Sequence, residues 1–205
     1  MIAPLRPDLM TIAELVAPES RVLDVGCGEG ELLAWLKAEK NVDGRGIELT
    51  QQQVHRAIAR GISVIQGDGE QDLADYPSAA YDYAILSMTL QAMKAPRRVL
   101  AELTRVGKQA IVSVPNFGHW KNRLYFAMAG RMPVTSTLSY EWYDTPNIHF
   151  CTISDFVILC ERMGIIIERR IVVDATGERS GFSGRGHWAN LFGQQGVFLL
   201  RARQG

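Results

Sequence analysis

Residues 22–30 read Val22-Leu23-Asp24-Val25-Gly26-Cys27-Gly28-Glu29-Gly30, and this stretch decides the fold. A short β-branched run that ends in three alternate glycines and passes into a helical pattern, with Leu32, Leu33 and Leu36 on one side, is a strand, a tight turn and a helix. Such a turn sets backbone N–H groups and a helix N-terminus beside a ligand, and the missing side chains let that ligand touch the main chain. The spacing separates the known variants. A dinucleotide loop needs G-x-G-x-x-G, whose third glycine would fall at position 31, where Glu31 stands. A P-loop needs a Gly-Lys-Ser/Thr ending, which is absent, and Glu29 and Glu31 would repel a pyrophosphate.

Outward from the loop, short apolar runs alternate with helical patterns, the signature of a parallel sheet with helices on both faces. Strands are expected at Arg21–Val25, Gly44–Glu48, Ile62–Gln66, Tyr81–Ser87 and Gln109–Val114. Between them lie helices over Gly28–Glu39, after Thr50 with Val54, Ala57 and Ile58 inward and Gly61 at its end, and from Pro96 with Val99, Leu100 and Leu103 inward. Residues 116–150 depart from the repeat. They are dense in aromatics, broken by Pro133 and Pro146, and too long for a plain connection, as lids and binding loops are. Thr152 with Asp155 three residues on has the form of a capping box for a helix through Phe156, Leu159 and Met163 to Gly164. Ile165–Val173 and Gly196–Arg203 are two further strands, expected as an antiparallel pair at the sheet edge, with the Gly-rich stretch 177–193 between them. Residues 1–205 read as one domain, with an aromatic-rich insert at about 116–150.

Composition excludes several classes. The 205 residues are 47% hydrophobic and 21% charged, so a full core can be buried. The 22 basic and 22 acidic residues cancel, leaving no overall field for nucleic acid or an anionic membrane. No apolar run approaches the roughly 20 residues of a bilayer span, and MIAPLRPDLM lacks a signal-peptide layout, so a cytoplasmic protein is expected. Cys27, Cys151 and Cys160 form neither a disulfide framework nor a CxxC metal knuckle, and are expected as reduced packing residues with no metal.

The pattern D-x-G-x-G-x-G led by Asp24 resembles the loop of class I S-adenosylmethionine-dependent methyltransferases. That resemblance implies a Rossmann-like α/β fold with a mostly parallel seven-stranded sheet, a C-terminal antiparallel strand and helices on both faces. It also implies a cofactor that is cationic at sulfur and has no phosphate to cradle, S-adenosylmethionine or its product S-adenosylhomocysteine. Asp24, Gly26, Cys27, Gly28 and Gly30 would form the loop side of its site. Glu48, followed by Leu49 at the end of the second strand, is placed to accept from both ribose hydroxyls. In Gly67-Asp68-Gly69, the Asp68 carboxylate matches the family's position for the adenine amino group. Ser87 and Met88 fall where the family lines the methionine part of the pocket.

A closer resemblance runs through the rest of the chain. Ser113-Val114-Pro115-Asn116-Phe117-Gly118-His119-Trp120, Gly130-Arg131-Met132-Pro133-Val134-Thr135 and the run from Trp142 to Thr152 (WYDTPNIHFCT) are similar to the MetW family of methionine biosynthesis proteins. What this implies is a methyltransferase-like protein that works with a homoserine O-acetyltransferase or O-succinyltransferase of the α/β-hydrolase type. The alternative is an S-adenosylmethionine-dependent methyltransferase acting on a small molecule, since positioning alone supplies much of that reaction's acceleration. His119 and His149 are the candidate bases, although a hydrogen-bonded loop or interface residue is the commoner role for such a histidine. The insert's aromatics could wall a pocket, build core or dock a protein. Arg131, Met132, Trp142 and Tyr143 are the candidates for docking, with Arg185, His187 and Trp188 weaker ones. Gly181-Phe182-Ser183-Gly184 misses the G-x-S-x-G nucleophile elbow by one place, so an acyl-transfer nucleophile would belong to the partner.

Overall fold

Strand β1 (Arg21–Val25) is buried from Val22 through Val25, which demands cover on both faces and a central position in the sheet. The computed structural model, which describes residues 5–135, 138, 140–174, 179 and 187–203, puts it there. It pairs in parallel with β2 (Asp43–Glu48) on one side and β4 (Tyr81–Ser87) on the other. With β3 (Ser63–Gln66), β5 (Gly107–Pro115), β6 (Ile165–Val173) and β7 (Gln195–Ala202), the seven-stranded order is β3-β2-β1-β4-β5-β7-β6. The order reverses between β1 and β4, which opens a crevice at the carboxyl ends of those strands. The last strand, β7, inserts between β5 and β6 and runs antiparallel to both. The expected architecture is thus the observed one.

Helices cover both faces. On one, α1 (Pro7–Leu15) and α2 (Glu31–Lys40) pack Leu9, Ile12, Leu33 and Leu36 against Val22, Ile85 and Ile111. On the other, α5 (Pro96–Val106) and α7 (Ile153–Met163) bury Leu100, Leu103 and Phe156, the last with its ring centroid 4.4 Å from that of Phe198. Each such fully buried side chain contributes about 1.5–3 kcal/mol. The capping box of α7 is formed, with Thr152 and Asp155 each accepting from the other's backbone N–H, and Gly164 closes the helix in the left-handed region.

One expectation needs correction, and two helices go beyond what the sequence signalled. Ile58 on α3 (Gln51–Ala59) is 53% exposed, because α3 covers the sheet edge at β3 and only the Val54 and Ala57 stripe finds a surface to bury against. Helix α1 was not anticipated, although Pro7 at its first turn and the Leu9, Ile12, Ala13 spacing carry the signal. The β6–β7 connection contains a short helix, α8 (His187–Phe192). Arg185 and Gly181-Phe182-Ser183-Gly184 lie outside the described residues. The three cysteines are free, and burial pushes the thiols up, to about 11 for Cys151 and about 12 for Cys160. Among the described residues no group of acids, histidines or cysteines is placed to hold a metal ion, and no helix is long and apolar enough to cross a membrane.

Candidate functional site

The turn after β1 carries the site. Gly26, Gly28 and Gly30 all have positive φ, at 73°, 57° and 75°. Only glycine adopts three such conformations in five residues without strain. At Gly28 a side chain would meet nothing nearer than the Gln53 amide at 3.7 Å, so the space beside its Cα, in the wall of the crevice, is open. Gly30 is different: a Cβ there would press on Ala57 and Ile62 at 3.2 and 3.3 Å, and its lack of a side chain lets α3 close against the start of α2.

Two clefts flank Gly26. One of about 290 Å³ is lined by Asp24, Gly26, Cys27, Gly28, Ser87 and Met88, with Arg6, Leu9 and Glu29 among its other walls. The second, of about 450 Å³, is lined by Glu48, Leu49, Gly67, Asp68 and Gly69, again with Gly26, and is closed by Gln53, Thr89, Met93 and Lys94. The candidate residues named from the sequence therefore meet at one sheet edge, except Gly30, which lines neither cleft. Arg6, Gln53 and Thr89 were missed. A glutamine in the first turn of a helix, or an arginine ahead of one, carries no local signal of its distant neighbours.

Glu48 is buried, and its carboxylate accepts from the backbone N–H of Gly28 and of Thr50, both at 2.9 Å. The Gln53 amide, with its nitrogen turned to the carboxylate, donates to both oxygens at 3.3 Å. A carboxylate has about four lone-pair positions, so it can hold the glycine loop and still accept from a ligand diol. Asp68 caps the one-turn helix α4 (Gly69–Asp72), accepting from Glu70 N–H at 3.0 Å and from Gln71 Nε2 at 2.8 Å.

Asp24 is 3% exposed and its Oδ1 has no hydrogen-bond partner. Burial first, and then the Glu48 carboxylate, pushes its pKa from 3.8 up to about 7. A buried acid with an orphaned oxygen at the wall of a cleft is suited to a cationic or donor group on a ligand. Glu29 is not part of that field. It pairs with Arg56 and, at 2.8 Å, with Arg60, and the Arg56 hydrogen bond holds its carboxyl below the ordinary range. The sequence leads one to expect an acidic cluster of Asp24, Glu29, Glu48 and Asp68 along this edge; the structure takes Glu29 out of it, because Arg56 and Arg60 meet its charge, and leaves Asp24, Glu48 and Asp68.

The strap after β4 joins this site to the insert. Met88 sits at φ 50°, a strained conformation for a side chain of its size, and its N–H donates to Ser113 Oγ at 3.0 Å. Gln91, 6% exposed, donates from Nε2 to the Met88 carbonyl at 2.6 Å. The Gln91 carbonyl in turn accepts from the N–H of Ile148 and of His149, both at 3.0 Å. The ends of the insert meet where Phe117 N–H donates to the Cys151 carbonyl at 3.0 Å. Helix α6 (Trp120–Ala129) lies within it.

Neither histidine lines the two clefts. His119 is buried and caps α6, its Nδ1 accepting from Lys121 N–H at 3.3 Å; burial, and then Lys121, lowers its pKa. His149 is exposed. Trp142 and Tyr143 are 69% and 65% exposed and meet edge to face with centroids 5.6 Å apart, so they belong to no core. Arg131 is exposed, Met132 half-buried, and His187 and Trp188 are exposed on α8.

A family model described as methionine biosynthesis protein MetW matches residues 6–200. Among curated proteins, the bifunctional methionine biosynthesis protein MetXA/MetW of Rhodopirellula baltica is 34% identical over 179 residues, which cover 83% of this chain and 29% of the relative. The 2-methyl-6-phytyl-1,4-hydroquinone methyltransferase 2 of Oryza sativa is 26% identical over 135 residues, 60% of this chain and 38% of that one. The chain spans well under half the length of these curated relatives. Among solved structures, an S-adenosylmethionine-dependent methyltransferase of Thermotoga maritima, described as a possible histamine N-methyltransferase, superposes with a TM-score of 0.66 at 20% identity, covering 96% of this chain and 88% of that one.

Proposed function

The chain belongs to the MetW family of methionine biosynthesis proteins, and from that premise we propose that it is an accessory, regulatory partner of a homoserine O-acyltransferase, acetyl- or succinyl-transferring, with S-adenosylmethionine or S-adenosylhomocysteine in its glycine-loop clefts. The observation that carries the partner is the relative in which a MetW part and a MetXA part share one polypeptide. Fusion keeps two chains at high effective concentration, an arrangement of use to proteins that work in contact.

The ligand reading rests on the two clefts that share Gly26. Glu48 would hold the ribose hydroxyls and Asp68 would face the adenine amino group. Asp24, Ser87, Met88 and Arg6 would surround the methionine part. The orphaned Oδ1 of Asp24 and the free space beside the Gly28 Cα fit such a ligand. The bonds from Met88 through Gln91 to Ile148 and His149 give ligand and docking insert a common support, which a feedback role needs. A ligand shifts such an equilibrium only if it binds the two states differently.

One observation favours methyl transfer as a second reading: Asp24, Glu48, Asp68, Ser87 and Met88, the residues the methyltransferase resemblance assigns to the cofactor, all line the two clefts beside Gly26. An assay of homoserine acylation by the cognate acyltransferase, with and without this protein and with S-adenosylmethionine added, tests the first reading. An unchanged acylation rate sinks it. Transfer of a labelled methyl group to a pathway metabolite would put the second in its place.

A further inference from the structure

Helix α6 is unlike every other long helix of the fold. Of its ten residues, WKNRLYFAMA, only Asn122 is buried. Its second half is an unbroken apolar run, so there is no polar face to turn to water and no single stripe to lay on the sheet. Trp120, Leu124, Tyr125 and Phe126 are 39, 49, 45 and 52% exposed, and Met128 is 79% exposed. An isolated helix shorter than about 12–15 residues is marginal in water, and helices apolar all round are enclosed by protein. Its N-terminus is nonetheless firmly held, by the His119 cap, by Arg123 Nε donating to the Gly118 carbonyl at 2.6 Å, and by Asn122 Nδ2 donating to the Phe117 carbonyl at 3.2 Å. The helix is thus anchored at one end and presented at the other.

We infer that the exposed body of α6 is the element the acyltransferase encloses, seated in an apolar groove with an acidic rim. This rests on the accessory-partner reading and adds the surface. The acidic rim follows from charge. Residues 117–140 contain Lys121, Arg123 and Arg131 and no aspartate or glutamate, although acids and bases balance over the whole chain. Trp, Tyr, Phe, Met and Arg, which supply nine of the 24 residues of this segment, are the residues enriched at interface centres. Inserting a helix into a groove buries side chains on several of its faces at once, which is the cover that the apolar second half of α6 lacks.

The test uses the full chain and its cognate acyltransferase. Phe126→Asp and Met128→Asp alter side chains already in water, so melting temperature and S-adenosylhomocysteine affinity should match the unchanged protein, while binding to the acyltransferase weakens by about tenfold or more. Ile58→Asp, the same change on α3, should leave acyltransferase binding intact. Acyltransferase binding that survives both α6 substitutions overturns this surface and leaves the partner reading standing. Absence of binding by the unchanged protein overturns both. If the unchanged protein instead sediments with vesicles of phosphatidylglycerol and phosphatidylcholine, or forms a dimer, and the α6 variants do not, the helix serves a membrane surface or a second copy and the inference fails.

Discussion

Asp24 shows how one side chain ties function against stability. Its pKa in the fold, about 7, lies above the ordinary 3.8, so the folded chain holds the proton more tightly than the unfolded one. The contribution this makes is complete below about pH 4 and is lost as pH rises through about 7, where burying the charge costs on the order of 4 kcal/mol. Asp24→Asn keeps the shape and removes the charge. Urea denaturation at pH 8 should therefore show the variant more stable than the parent, with the difference shrinking toward pH 5. Ligand binding should move the other way. Calorimetry with S-adenosylmethionine should show affinity rising between pH 6 and pH 8 in the parent, and a weaker, flatter dependence in the variant. Equal stability of the two proteins at pH 8 would show that Asp24 is relieved by a partner in the fold. Glu29 shows the converse: an acid beside the glycine loop whose charge is already met by Arg56 and Arg60.

Among elements, the strap between β4 and α5 links pocket and insert. Met88 and Thr89 wall the two clefts, and Gln91 holds the Met88 carbonyl with its side chain and the insert with its own carbonyl. Gln91→Met removes the side-chain donor at similar volume. Hydrogen exchange over residues 140–150 should slow when S-adenosylhomocysteine is added to the parent, and should respond less in the variant although the ligand still binds. An equal response in both would assign the coupling elsewhere. Much of this level was legible in advance. The Thr152 capping box, the glycine turn and the placement of Glu48 at the end of β2 are local patterns, and local patterns depend on residues within a turn of one another. Ile58 failed because helical spacing tells which positions share a face, while the width of the sheet beneath decides how many of them are covered.

Over the whole molecule, the last strand holds the sheet together. Because β7 lies between β5 and β6, the chain from 195 onward supplies both of their ladders on that side. Ending the chain at Gln194 should abolish the cooperative thermal transition seen by circular dichroism, since Phe198 and Leu200 leave the core and β6 loses its partner strand. Retention of a sharp transition would mean that β1 to β5 fold without it. The succession of strands, the helices α2, α3, α5 and α7, the class of the fold and the glycine turn after β1 were determined by the sequence, because each depends on periodicity and turn chemistry over a few residues. Only the tertiary structure decided that Arg6 reaches the Asp24 cleft, that arginines 27 and 31 residues downstream neutralise Glu29, and that Gln91 carries the insert. It also decided that α6 stands exposed. An apolar run reports that a surface seeks cover, and only the packing of distant segments determines whether this chain provides it.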